Sequence, residues 1–159
     1  MLFATHLLVA ALLGRVSRLS PLWLVVGTAV PDVVDKPLAT VGVTSLYHSI
    51  GHSALLVIVA LPLALSGRTG LSVAAGWVLH LLLDTVHVVL NGRAGDAVFL
   101  FWPVVIPADP LSLSPGSFFV YYLWSPSFFL EVALWFTTAG LVVRHVTRGG
   151  RVSLWDRVD

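Results

Sequence analysis

The side chains best equipped for chemistry fall in a few short runs of this 159-residue chain. In GWVLHLLLDTVHVVL, His80, Asp84 and His87 stand at i, i+4 and i+7, the spacing that stacks three side chains on one helix face. The surrounding residues are apolar enough for a membrane, where an ionisable group costs roughly 2.5–3.5 kcal/mol on insertion scales, so a use is expected for each. The plainer use is an Asp–His hydrogen bond that joins two helices. A second pair, His48 and His52, lies in SLYHSIGHSAL, and if that run is helical both imidazoles face one point. A third group is AVPDVVDKP, with Asp32 and Asp35. Its flanking prolines are expected to end the helix there, and both carboxylates could simply bond their own backbone in a turn. His6 is a lone polar residue in an apolar run.

The chain has no cysteine, which excludes disulfides, iron–sulfur clusters and thiolate zinc sites. Any metal must be held by imidazole and carboxylate. If the four runs converge, such a set suits a catalytic divalent ion with a position left open for water.

The elements that would position these residues are apolar. The composition is 57% hydrophobic and only 11% charged, against about a quarter charged in an ordinary soluble domain. With a mean hydropathy of +0.93, this indicates a single integral membrane domain, all-α and multi-pass. Five apolar segments are expected: A (Leu2 to Leu13), B (Pro21 to Val34), C (Ile50 to Leu65), D (Leu71 to Leu90) and E (Phe128 to Val143). Only D has the roughly 20 residues of a perpendicular crossing; A and B are short, and would thin the bilayer or form a re-entrant hairpin. The N-terminus resembles a secretion signal but lacks a basic start and a small-residue cleavage site, so it is read as a retained membrane segment.

If the segments cross alternately, Arg15, Arg18, Arg68, Arg144, Arg148, Arg151 and Arg157 share one side, and Lys36 and Arg93 the other. The bias makes the arginine-rich side cytoplasmic. It places the C-terminus inside and turns the His/Asp cluster toward the extracytoplasmic face of the cell membrane. Residues 91–127 carry five prolines and many aromatics, which suggests an interfacial flap. Residues 128–146 form the last membrane helix, and 147–159 a cytoplasmic tail. His145 lies next to Arg144 at the inner end of E, away from the cluster. Glu131, the one glutamate, could serve its own helix N-terminus or a hydrogen bond behind the site. The net charge of +1 gives no indication of a nucleic-acid partner.

An early His6, the PDVVD run, the HS of GHSALL, the helix GWVLHLLLD and a following FWP together resemble the membrane-bound metal-dependent hydrolase family that includes LexA-binding inner-membrane proteins. The likeness covers roughly residues 1–103, the expected metal-site core. That family is similar in turn to zinc-dependent phospholipases C. The resemblance implies a first metal site of Asp32, His52, His80 and Asp84, and a second built on His6 with Asp84 shared between them. Two features depart from the pattern. The Arg-Gly pair common in the His-containing loop is replaced by His48-Ser49-Ile50-Gly51, so Lys36 or Arg93 would have to clamp a phosphate. No later His-x-x-x-Glu pair follows D, which argues against three metals.

The expected function is metal-dependent hydrolysis, with a phosphoester or lipid-linked molecule as substrate and one or two ions, zinc before manganese. Asp35 is the candidate base or orienter, and His48 or His87 the group that orients a ligand or protonates the leaving group. Membrane lipids are the expected surroundings. The rivals are a divalent metal or proton transporter, which needs a polar path inward, and a non-catalytic scaffold with a structural metal.

Overall fold

A computed structural model of the chain describes residues 1–106, 113 and 115–149. Among them the fold is entirely helical: α1 (Phe3–Val16), α2 (Pro21–Thr40), α3 (Ala60–Leu65), α4 (Arg68–Leu90), α5 (Pro115–Tyr122) and α6 (Pro126–Thr147). Short 3-10 stretches cover Leu56–Val59 and Ala94–Phe101.

Segments D and E are α4 and α6, at 23 and 22 residues both long and apolar enough to cross a membrane. Segment A is α1. Segment B is longer than expected, because α2 runs through Pro31 and Pro37 to Thr40. Each proline removes one backbone donor, which alone would favour a break. Packing of this helix against α4 and against the loop that follows it overrides that local preference. Segment C is not one helix: residues 50–55 are turns that lead through the first 3-10 stretch into the six residues of α3. Of the expected flap, the second 3-10 stretch and α5 are helical, while residues 107–112 and 114 lie outside the described residues, as does most of the tail.

The helices α2 and α4 approach backbone to backbone. A Cβ added to Gly27 would meet the Val73 carbonyl oxygen at 2.0 Å, and one added to Gly76 the Leu24 carbonyl oxygen at 2.2 Å. Small residues are what allow two helices so close. The Thr28 hydroxyl bridges the crossing, 2.9 Å from the Leu24 carbonyl and 3.0 Å from that of Gly76. At one end of the bundle the Arg68 side chain donates to the Arg18 carbonyl, and the Ser20 N–H to the Ser72 hydroxyl. Lys36 and Arg93 sit at the other end, lining one cavity.

The distribution of polarity is inverted relative to a soluble domain. Among the described residues, the buried set holds fifteen polar or charged side chains against nine hydrophobic ones. Leu82, Val86 and Val89 of α4 and Phe129, Phe136, Leu141 and Val143 of α6 are exposed instead. Water does not favour that arrangement; a hydrocarbon surrounding does.

Candidate metal centre

The buried polar set is concentrated where α1, α2, α4 and the loop after α2 meet. From α4, His80 and Asp84 project one turn apart, with His80 Nε2 3.1 Å from Asp84 Oδ2. From the loop comes His52, whose Nε2 lies 3.0 Å from His80 Nε2 and 3.4 Å from Asp84 Oδ2. From α2, Asp32 Oδ1 is 3.5 Å from His52 Nε2 and 3.8 Å from His80 Nε2. Ligand bonds of ~2.0–2.1 Å in a tetrahedral shell put neighbouring donors about 3.3 Å apart. The separations here bracket that value.

Both imidazoles are oriented from behind. His80 Nδ1 is 2.8 Å from the Thr28 carbonyl, and His52 Nδ1 is 2.7 Å from Asp35 Oδ2. An N–H at each Nδ1 donates outward, which leaves the Nε2 lone pairs facing the cluster, the usual orientation of metal-binding histidines.

Asp35 is wholly buried and does more than hold His52. It accepts from the backbone N–H groups of Ser49 (2.7 Å), Gly51 (2.8 Å) and His52 (3.2 Å). The loop is pinned further by Trp77, whose indole N–H donates to the Gly51 carbonyl at 2.6 Å, and by Ser53, which donates to the Trp102 carbonyl. Gly51 is required by proximity, since an added Cβ would lie 2.7 Å from Pro31 Cα.

His6 enters from α1. Its ring stacks on that of His80, with centroids 4.2 Å apart, and its Nε2 lies 3.1 Å from the other oxygen of Asp84. Asp84 is the close polar neighbour of that buried Nε2, at a geometry poor for a hydrogen bond, while Nδ1 is 3.1 Å from the Leu2 carbonyl. Asp84 therefore presents one oxygen to His6 and the other to His52 and His80. Three overlapping groups could each hold an ion: Asp32, His52 and His80; His6, His80 and Asp84; and His48, His52 and Asp84.

His48 is half exposed, with Nε2 3.7 Å from Asp84 Oδ2, at the border of a cavity of about 630 Å³. The cavity reaches Asp32 and Asp84, and Phe3, Leu46, Phe99, Phe118 and Phe119 form much of its wall. The residues considered as phosphate clamps, Lys36 and Arg93, both line it. Each has an acidic partner: Lys36 Nζ is 2.6 Å from Asp32 Oδ2, and Arg93 bonds Asp96. His87 is buried and also borders the cavity, its ring beside those of Phe118 and Tyr122 and its Nδ1 unpartnered.

The eight candidate residues thus divide by position. His52 and His80 lie within reach of Asp32 and of Asp84, and His6 joins them through Asp84. Asp35 stands behind His52, while His48 and His87 stand at the cavity. Sequence reading missed the supports that are backbone atoms, the Thr28 carbonyl and the loop amides, because no side-chain type announces them. It also left Glu131 undecided. That residue is buried and accepts from Leu2 N–H, Thr5 and Tyr122. Burial and the Glu131 carboxylate push the Tyr122 phenol above its ordinary value.

The chain matches no protein-family model, no curated protein and no solved structure.

Proposed function

We propose that this chain is a multi-pass membrane hydrolase that uses a divalent metal held by Asp32, His52, His80 and Asp84. The single observation that supports the reading is the closeness of the His52 and His80 Nε2 atoms to each other and to oxygens of Asp32 and of Asp84, with both imidazoles already oriented from behind. Zinc suits an imidazole and carboxylate set, with manganese the alternative. The buried Nε2 of His6 and the second oxygen of Asp84 offer a place for another ion. A bound ion of this kind supplies Lewis acidity, polarising the bond to be cut and making a water nucleophilic near neutral pH.

The chain's own residues divide the remaining work. Asp35 has its oxygens committed to four donors and acts as the orienter of His52. His48, half exposed beside Asp84, is placed to move a proton to a leaving group, with His87 as its neighbour across the cavity. The aromatic and aliphatic wall favours a substrate with an apolar part, and Lys36 and Arg93 favour an anionic one. A phosphoester carried on a lipid satisfies both. The arginine bias toward the far end supports an extracytoplasmic position for the cavity. A transporter reading is less well served, because α2 and α4 touch at Gly27 and Gly76 just inward of His80, where an ion path would have to run.

Metal analysis of detergent-purified protein tests the reading, with His80→Ala and Asp84→Asn alongside. Near-stoichiometric metal in the wild type, lost in both variants, is the expected result. A metal-free wild type, or variants that hold as much as it does, would refute the site. Hydrolysis of phosphoester and phospholipid substrates by the loaded protein then separates the enzyme from a scaffold with a structural ion.

A further inference from the structure

Glu131 is a carboxylate on α6, a helix whose surface is otherwise largely apolar and exposed. It is turned inward toward the start of α1. Leu2 N–H lies 3.1 and 3.2 Å from its two oxygens, and the hydroxyls of Thr5 and Tyr122 donate to it. Trp135, one turn further along α6, donates to Thr5 at 3.0 Å. Each of these donors is on α1, α5 or α6 or, in the case of Leu2, caps α1, and none belongs to the metal-centre set.

Leu2 gives this arrangement its reach. It caps α1, which has no side-chain cap and no acidic residue in its first turn. The unmet N–H groups there favour a negative charge, and Glu131 supplies one from another helix. The carbonyl of Leu2 accepts from Thr5 N–H at 2.9 Å, from His6 N–H at 3.3 Å and from His6 Nδ1 at 3.1 Å. The residue that Glu131 grips by its N–H therefore fixes, through its C=O, which nitrogen of His6 carries the proton and where the other one points.

We propose that Glu131 is a positioning residue for His6: through Leu2 it holds the His6 lone pair against Asp84, so that α6 sets the geometry of a metal ligand it does not touch. This rests on the metal-centre reading above. A helix-joining role alone would make Glu131 matter for stability and leave the chemistry of His6 unaffected.

Titration of the metal-free full chain in detergent with Zn²⁺ or Co²⁺ separates these roles, using Glu131→Gln, Glu131→Asp, Tyr122→Phe, His6→Ala and the His6→Ala/Glu131→Gln double variant. Each is first checked for monodispersity and helix content. Groups that orient a metal-binding histidine typically change affinity about 10- to 100-fold. Glu131→Gln is expected to weaken the ion held with His6 about tenfold and to change the Co²⁺ visible spectrum as His6→Ala does. Glu131→Asp keeps the charge but shortens the reach to Leu2, and should behave alike. Tyr122→Phe leaves the Leu2 contact intact and should bind as wild type does. Because Glu131 acts through His6, the double variant should bind no more weakly than His6→Ala alone. Unchanged affinity in both Glu131 variants, or a full additive loss in the double variant, overturns the proposal while the metal centre stands. A wild type that binds no metal overturns the centre itself, and this inference with it.

Discussion

Two aspartates 49 positions apart in the chain illustrate how differently a buried carboxylate can be used. Asp84 has histidines on both oxygens, one toward His6 and the other toward His52 and His80, and Asp32 reaches the same two imidazoles, His52 and His80. Like charges brought together out of water repel, and a cation offsets the repulsion. Asp35 is instead saturated by N–H donors. Opposite outcomes follow for their neutral variants. Asp84→Asn should hold no metal yet melt at or above the temperature of metal-free wild type. Asp35→Ala leaves four donors without an acceptor, at ~1–3 kcal/mol each, which is comparable with the whole net stability of a typical domain. It should fail to accumulate, or melt far below wild type. Thermal unfolding of both apo variants in one detergent checks the pair, and a stable Asp35→Ala would show that the loop is held by something else.

At the scale of elements, the α2–α4 crossing is what brings Asp32 within reach of His80. Its closeness depends on Gly27 and Gly76, and Thr28 between them supplies the carbonyl that orients His80. Gly76→Val would force the backbones apart, since the new Cβ meets the Leu24 oxygen at 2.2 Å. The variant should keep its helix content by circular dichroism and lose metal affinity about tenfold or more, as disturbed supports of a metal ligand do. Wild-type affinity in this variant would mean that the crossing does not set the site. Much of this level was legible in the sequence. The i, i+4, i+7 spacing on α4 was, because helix geometry alone determines it, and so were α1 and α6 from their apolar runs. The course of α2 was not. Prolines 31 and 37 argue locally for a break, and what carries the helix past them is packing between elements far apart in the chain. The pair His48 and His52 was read for a helical spacing, yet those residues sit in turns at 41–55. They reach the site because Asp35 gathers the loop, a long-range bond that has no signature in local spacing.

Among the described residues more polar than hydrophobic side chains are buried, and where the apolar outer faces of α4 and α6 meet hydrocarbon, association of the helices gains little from excluding water. Stability must come from close packing, satisfied hydrogen bonds and whatever binds the centre. An ion that binds only the folded state stabilises it by ~2.7 kcal/mol at a hundredfold excess over Kd, roughly 5–10 °C for a chain of this length. Removing metal with a chelator should lower the melting temperature by about that amount, and adding zinc back should restore it. The same linkage makes loading depend on pH. Histidines bind metal in their neutral form, so protons compete with the ion for the ligands. Affinity should therefore fall as pH is lowered, while the metal-free protein follows a different curve. A melting temperature indifferent to chelator at neutral pH would count against a metal that contributes to the fold.

The loop that carries His52 is fastened mostly by its main chain: amides of Ser49, Gly51 and His52 to Asp35, the carbonyl of Gly51 to Trp77, and the amide of Ala54 to the Leu100 carbonyl. Every amino acid but proline offers those same groups. The loop's shape is thus written largely in residues outside it, and its own letters are free to drift. Tyr47 and Ile50 should accept most replacements, whereas Asp35 and Trp77, both outside the loop, should accept few. Within the loop, tolerance should fail at His52, whose ring is needed, at Gly51, where a side chain has no room, and wherever proline enters. The stretch nearest the chemistry would then be among the more variable parts of the molecule.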